Sequence, residues 1–486
     1  MDGTPSLALL TDLYQLTMAS GYWKLGRGEQ EAVFHLFFRK PPFAGGYAVA
    51  AGLRPAIDYL KNFRFDESDV DYLASLAGND GQPLFDAGFL EHLRELRLKC
   101  DIDAMLEGTV AFAQQPLVRV RGPILHCQIL ETALLNIVNF QTLIATKAAR
   151  ISGATGGDPV LEFGLRRAQG VDGGLAASRA AYIGGCAATS NVLAGKQYGI
   201  PVKGTHAHSW VMSFDDETEA FDSYAEAMPN NCVFLVDTYD TLEGVRKAIE
   251  AGKRLRERGH EMVGIRLDSG DLAYLSIEAR KLLDNGGFPD ATIVASNDLD
   301  ENVIESLKGQ GAKVAVWGVG TKLATAYDQP ALGGVYKLGA IKDSDGEWQP
   351  KLKLSEQSAK TTIPGVLQVR RFENETGLVG DMIYDETHGI DQRGIIVDVK
   401  DSNRRKRIPT GAAGSDLLVP VMRGGEFVLE QENIGDARDR AQRELGRLHP
   451  TVRRLLHPHE HPVGLDIGLH ELREQMIREV RWDFGK

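Results

Sequence analysis

Two histidines stand two residues apart in GTHAHSW, residues 204–210. His206 and His208, behind a small Gly-Thr pair, admit three chemistries: a metal pair, a reactive imidazole, or packing at the end of a strand. A His-x-His at a strand end is the first half of a binuclear hydrolase site. Such a site needs further ligands, usually histidines, at other strand ends. The other ten histidines are His35, His92, His126, His260, His388, His449, His457, His459, His461 and His470. In the middle of the chain only His260 remains, and it precedes a strand, on the opposite side. The metal reading therefore lacks ligands. HPHEHP, residues 457–462, also invites a metal, but its two prolines and loop position suit a solvated turn.

Three more stretches carry chemistry. In WGVGTK, Gly318 and Gly320 permit positive φ and close backbone approach. Successive N–H groups running through Thr321 into a helix would cradle a phosphate. The alternative is a tight turn with no ligand. In RLDSGD, Arg266 and Asp268 stand two apart and face one side of a strand. Asp268 and Asp271 could hold Mg²⁺ through water. Asp268 could otherwise orient sugar hydroxyls, or the motif is a helix cap with a paired arginine. SND, with Asn297, has the same ambiguity: ligand contact, or Asp298 capping the next helix. In EFGLRRAQG, Phe163 followed by Arg166 and Arg167 suits a flat acid, stacked on the ring and held by a guanidinium. Its bland alternative is a core phenylalanine with surface arginines.

These residues must be positioned by repeated elements. Strand candidates are VLEFGLRR (160–167), IPVKGTHAHSW (200–210), CVFLVDTYDT (232–241), MVGIRLDSGD (262–271), TIVASNDLD (292–300) and VAVWGVGTK (314–322). Amphipathic helices such as TLEGVRKAIEAGKRLRER and LAYLSIEARKLLDNG lie between them. His208, Asp237, Asp268 and Asn297 follow one another at 29, 31 and 29 residues, and Gly318 comes 21 later. One βα unit needs about that length. Each strand ends in polar or glycine-rich residues, and in a parallel α/β fold those ends share the ligand-binding face. Without a GxGxxG after an early strand, an α/β fold of the (β/α) barrel kind is favoured over a Rossmann sheet. The expected domains are an N-terminal α+β domain over 1–130, the barrel over 131–350, and a C-terminal region over 351–486 that packs with the N-terminal one. Near the start, TDLYQLTMASGYWKLG reads as a helix and EAVFHLFFRK as a strand.

The formal net charge of −12 argues against a nucleic-acid surface. It leaves small phosphates open, because a few cations and N–H groups suffice to hold one. Cys100, Cys127, Cys186 and Cys232 are scattered without a CxxC pair, so buried, reduced thiols are expected. No signal-peptide pattern and no long apolar run is seen, so no membrane span and a cytoplasmic location are the expectations.

LLTDLYQLTMASGYW, the long run from LEFGLRRAQG through GTHAHSWVMSF, GIRLDSGDL and WGVGTKLATAYDQPALGGVYKL together resemble the nicotinate phosphoribosyltransferase family, from residue 9 to about 360. The resemblance implies an irregular, incomplete α/β barrel of the type II phosphoribosyltransferase kind, with a discontinuous second domain. It implies transfer of phosphoribosyl from 5-phosphoribosyl-1-pyrophosphate (PRPP) to nicotinate, giving nicotinate mononucleotide and pyrophosphate. ATP is implied as co-substrate and Mg²⁺ as cofactor. The pattern GTxAHS puts a transient phosphohistidine on His208 and leaves His206 at a variable position. By the same resemblance, Tyr14 stacks on the pyridine ring from a neighbouring subunit and Phe163 covers its other face. Arg166 meets the pyridine carboxylate and PRPP, and Thr205 and Ser209 flank His208. Arg266 and Asp268 contact ribose and metal-phosphate, and Gly318, Gly320 and Thr321 form the 5′-phosphate nest. A shared site implies a homodimer. Related nicotinamide-using enzymes carry an acid near Asn191; its absence here favours the acid substrate. Quinolinate phosphoribosyltransferase, which releases CO₂, a zinc hydrolase and a non-catalytic relative are the alternatives.

Overall fold

The structure is a computed structural model that describes residues 6–355 and 361–484. The chain divides into two compact units, Met1–Leu143 with Ala331–Lys486, and Ile144–Pro330. Secondary structure is mixed α/β in both.

The unit Ile144–Pro330 is built on a six-stranded sheet. Its strand order is Ala188–Thr189, Val160–Glu162, Val316–Val319, Thr292–Ala295, Gly264–Leu267, Val233–Leu235. All five pairings are parallel. The strands are short and almost wholly buried, as parallel strands covered on both faces must be. Helices Thr241–Glu257, Leu272–Asn285 and Glu301–Gly309 alternate with them. Asp240, Asp271 and Asp300 start these helices by accepting the N–H of Glu243, Tyr274 and Val303. Each satisfies a donor that the first helical turn leaves without a partner.

Two expected strands are shorter than their patterns. In 200–210 only Val202 pairs, in a parallel bridge with Thr189. Residues 203–207 then run without regular structure into the helix His208–Met212. The N–H of Leu235, on the strand that would adjoin this segment, is accepted instead by Nε2 of His206 at 3.2 Å. The strand expected over 160–167 ends at Glu162, whose carboxylate takes the N–H of Gly164 and turns the chain into a 3₁₀ turn, Leu165–Arg167.

The other unit carries a seven-stranded antiparallel sheet. It runs Trp348–Pro350, Gly334–Lys342, Glu31–Phe38, Val118–Pro123, Asp101–Met105, Leu418–Arg423, Glu426–Phe427. Gly334–Lys342 pairs with Glu31–Phe38, Ala32 opposite Ile341, so residues 334–350 belong here and not with the parallel sheet. The helix Glu131–Ala154 begins in this unit and ends in the other, which moves the first boundary from 130 to 143. A second, six-stranded mixed sheet is formed by segments between Leu367 and Asp466. In HPHEHP, His457 and His459 are exposed. The His461 side chain is instead buried, stacked on Phe112 at 4.4 Å between centroids and 3.6 Å from Asp381. All four cysteines are buried and free. Among the described residues no helix is long and apolar enough to cross a membrane.

Candidate active site

The carboxyl ends of the parallel strands bring the polar motifs together around His208. This residue opens the short helix His208–Met212, and its side chain is 38% exposed, open to a ligand. Nδ1 lies 3.1 Å from the hydroxyl of Thr238. Nε2 lies 3.6 Å from Oδ2 of Asp268 and 4.0 Å from Oδ1 of Asp237. The two carboxylates are held from behind. Oδ2 of Asp237 accepts the N–H of Asp268 and the hydroxyl of Ser269, both at 2.7 Å. Oδ1 of Asp237 is buried with no hydrogen-bond partner. Ser296 donates its hydroxyl to Oδ1 of Asp268, leaving Oδ2 directed at His208.

Arg266 lies in the same cluster. Its Nη1 donates to Thr205 Oγ1 at 2.6 Å, and its buried Nε has no partner. Burial depresses the guanidinium pKa, the carboxylates of Asp268 and Asp237 oppose the shift, and the positive charge of Arg166 adds to it. Two arginines close enough to repel, one with an unused N–H, form a site for an anion. Arg166 and Arg167 are exposed on the 3₁₀ turn.

Phe163 explains the glycines of WGVGTK. A Cβ on Gly318 would lie 2.8 Å from the Phe163 ring, and one on Gly320 would lie 3.0 Å from the Phe163 carbonyl oxygen. Neither glycine has a positive φ. The expected conformational freedom is not used; the missing side chains make room for Phe163. Thr321 starts a helix of only four residues, and Lys322 pairs with Asp300 at 2.7 Å. The positive φ values fall instead on Asn297 (99°) and Asp298 (38°), both exposed. Such backbone costs on the order of 1–3 kcal/mol per residue and concentrates at functional sites. Asp298 does not cap the following helix; Asp300 does.

The remaining motif residues lie in varied settings. Asp271 accepts the N–H of Tyr274 through Oδ1 and caps the helix Leu272–Asn285. Among the described residues no group of three or more His, Cys, Asp and Glu could hold a metal. His206 and His208 do not share a face: His206 is buried with its ring 4.7 Å from that of Tyr224, and burial lowers its pKa to about 4. Ser209 is exposed next to His208, and Tyr14 is half-exposed on the helix Leu13–Lys24 of the other unit.

Pattern alone assigned no role to Asp237, Thr238, Ser296 or Glu162. Asp237 and Thr238 sit in DTYD, one full βα spacing after His208, and that position was the available signal. Glu162 is buried and accepts the hydroxyls of Ser178 at 2.9 Å and Thr189 at 2.6 Å, fixing the chain just before Phe163. Asn191 is also buried. Its amide caps Ala194 and donates to Ser178, so neither end is left for a ligand.

Comparison with known proteins identifies relatives of the whole chain. The chain matches the N-terminal domain of nicotinate phosphoribosyltransferase (NAPRTase) over residues 9–139, the NAPRTase family over 160–385 and the C-terminal domain over 368–473. A Bacillus subtilis nicotinate phosphoribosyltransferase is 47% identical, covering 98% of this chain and 96% of its own. A human protein of the same name is 37% identical over 96% and 95%. The crystal structure of human nicotinic acid phosphoribosyltransferase superposes with a TM-score of 0.82 at 34% identity, covering 96% of this chain and 99% of that one. A Pyrococcus furiosus nicotinate-nucleotide pyrophosphorylase shares the fold, with a TM-score of 0.69 at 22% identity over 91% and 96%. By sequence along its whole length and by fold, the chain belongs to the nicotinate phosphoribosyltransferase family.

Proposed function

We propose that this chain transfers the phosphoribosyl group of PRPP to nicotinate, releasing pyrophosphate, and couples the reaction to ATP through a phosphohistidine at His208. The observation that carries the coupling is the environment of His208. Two carboxylates face Nε2 and favour the ring proton there, so the lone pair resides on Nδ1. That nitrogen is the nucleophile for the γ-phosphoryl group of ATP. The N–P bond forms as the bond to the β,γ-bridging oxygen breaks, and the electron pair leaves with ADP. The carboxylates of Asp237 and Asp268 then balance the ring N–H.

Transfer of the ribosyl group needs little acid–base chemistry. Charge grows on the departing pyrophosphate and on C1 of the ribose while the pyridine nitrogen attacks, so positioning and electrostatics dominate. Arg266, with its unused Nε–H, and Arg166 are the cations for PRPP and the pyridine carboxylate. Phe163 is the stacking surface, Gly318 and Gly320 hold it close, and the backbone through Thr321 meets the 5′-phosphate. Thr205 braces Arg266, Ser209 adjoins the phosphorylated ring, and Asn297 lies on the strained turn beside the ribose. Asn191, with its amide consumed internally, places no carboxylate against that of nicotinate. The free oxygen of Asp268 suits Mg²⁺ shared with substrate phosphates rather than a closed protein cage. When bound, the ion would neutralise charge on the leaving pyrophosphate.

The parallel sheet supports an incomplete barrel. Val202 extends it past Ala188–Thr189, and the side-chain bond from His206 to Leu235 stands where backbone pairing would close the ring. A homodimer in which Tyr14 completes the partner's pyridine site is part of the same proposal, as is a cytoplasmic location. With [γ-³²P]ATP, the protein is expected to take up acid-labile phosphate and His208→Asn to take up none; equal labelling of His208→Asn would reject the assignment. A parallel assay of nicotinate and PRPP with and without ATP, with nicotinamide as control base, tests the substrate.

A further inference from the structure

The strand Val233–Leu235 delivers two consecutive residues to the two nitrogens of one imidazole. Asp237 faces Nε2 at 4.0 Å and Thr238 meets Nδ1 at 3.1 Å. Asp237 is itself immobilised by the N–H of Asp268 and the Ser269 hydroxyl. Asp268 faces Nε2 from the adjoining strand. Among the described residues the Thr238 hydroxyl makes the one hydrogen bond to the His208 side chain, because both carboxylates lie beyond hydrogen-bond distance. Coulomb attraction alone leaves the ring free to rotate about its bond to Cβ; a directional bond to Nδ1 does not.

We propose that Thr238 is a positioning residue that fixes the rotation of the His208 imidazole and so presents Nδ1 for phosphoryl transfer. The Thr238 hydroxyl donates to the Nδ1 lone pair in the resting enzyme. When the phosphoryl group arrives along that lone pair, the hydroxyl swings aside and donates to a phosphoryl oxygen. It thus serves both states without a proton moving to or from the ring. The inference rests on the phosphohistidine reading for its consequence. Its structural content, a threonine that fixes the orientation of the ring, stands separately. Thr238 acts through His208, so its effect falls on the ATP-dependent step.

The test compares Thr238→Val, which keeps shape and loses the hydroxyl, with Thr238→Ser, which keeps the hydroxyl. Thr238→Ala serves if the valine variant does not fold. Two readouts are taken on the full chain: the ¹⁵N resonances of His208 in histidine-labelled protein, and the rate of labelling by [γ-³²P]ATP in a single turnover. The expected result is the Nε2–H tautomer in all three proteins, with an Nδ1 resonance that moves away from its wild-type position in Thr238→Val, where its hydrogen bond is lost, and returns in Thr238→Ser. Labelling is expected to slow about tenfold in the valine variant, the loss of one hydrogen bond, and to recover in the serine variant. An unchanged Nδ1 resonance with labelling within about twofold of wild type in Thr238→Val overturns the proposal. If wild type takes no label while Thr238→Val still shifts the Nδ1 resonance, the phosphohistidine fails and the positioning role survives.

Discussion

At the scale of single residues, the site is an arrangement of unused valences. Arg266 keeps a buried Nε–H without an acceptor, and Asp237 keeps a buried oxygen without a donor. Leaving either group dry costs free energy that a bound anion or a charged imidazole returns. Arg166 is the exposed member of the cationic pair, so its removal should leave the fold intact. Arg166→Ala is expected to raise KM for nicotinate or PRPP at least about tenfold, from roughly 1.5–3 kcal/mol for a charged hydrogen bond. Steady-state kinetics with each substrate varied in turn check this, and unchanged constants for both would place Arg166 outside the site. Motif and spacing singled out His208, Arg266, Asp268 and Arg166, and the fold brings them together. Asp271 carries two readings, because a carboxylate three residues ahead of a helical N–H serves equally as ligand or cap, and its Oδ1 caps Tyr274.

At the scale of elements, two neighbouring strands meet through a glycine. Phe163 donates its N–H to Val319 at 2.8 Å and lays its ring where a Gly318 side chain would be. Gly318→Ala is expected to displace that ring and to destabilise by about 1–3 kcal/mol, as overpacking does. KM for nicotinate should rise with it if the ring is the stacking surface. Gly173→Ala is the control, since a Cβ there meets nothing within 4 Å; it should be neutral or stabilise by up to about 1 kcal/mol, a helix gaining alanine for glycine. Urea unfolding and nicotinate kinetics on both variants decide this; a Gly318→Ala protein matching Gly173→Ala would refute the packing role.

At the scale of the whole molecule, three buried histidines set the response to acid. His35, His126 and His206 accept the backbone N–H of Leu367, Lys99 and Leu235. Accepting requires a neutral ring. Burial lowers their pKa values to about 3, 4 and 4. Below the ordinary value near 6.5 the unfolded chain binds a proton that the folded chain does not, so stability falls as pH decreases. Each histidine is expected to cost about 2 kcal/mol between pH 6.5 and 5, with the loss continuing towards pH 4. Two lie in the unit Met1–Leu143 with Ala331–Lys486 and one in Ile144–Pro330, so both units should weaken. His206→Gln keeps an acceptor for Leu235 and should flatten the pH dependence of its own unit alone. Denaturant unfolding at pH 7 and pH 5 measures it, and equal stability at the two values would contradict the assignment.

By itself the chain determined its rhythm and its chemistry. Apolar runs ending in polar residues every 30 or so positions marked the strands at Val233, Gly264, Thr292 and Val316, because strand length and helix length are properties of local pattern. The helix starts at Asp240 and Asp271 were equally local. Tertiary structure decided what depends on partners distant in sequence. It broke the 200–210 strand, because His206 occupies the N–H of Leu235. It moved residues 334–350 to the sheet of Glu31–Phe38, because strand pairing is chosen across hundreds of residues. It turned His206 inward and His208 outward, separating two histidines that spacing made equivalent. It joined Asp237 and Thr238 to His208, since proximity between strand ends is a property of the folded sheet and is not written in either strand.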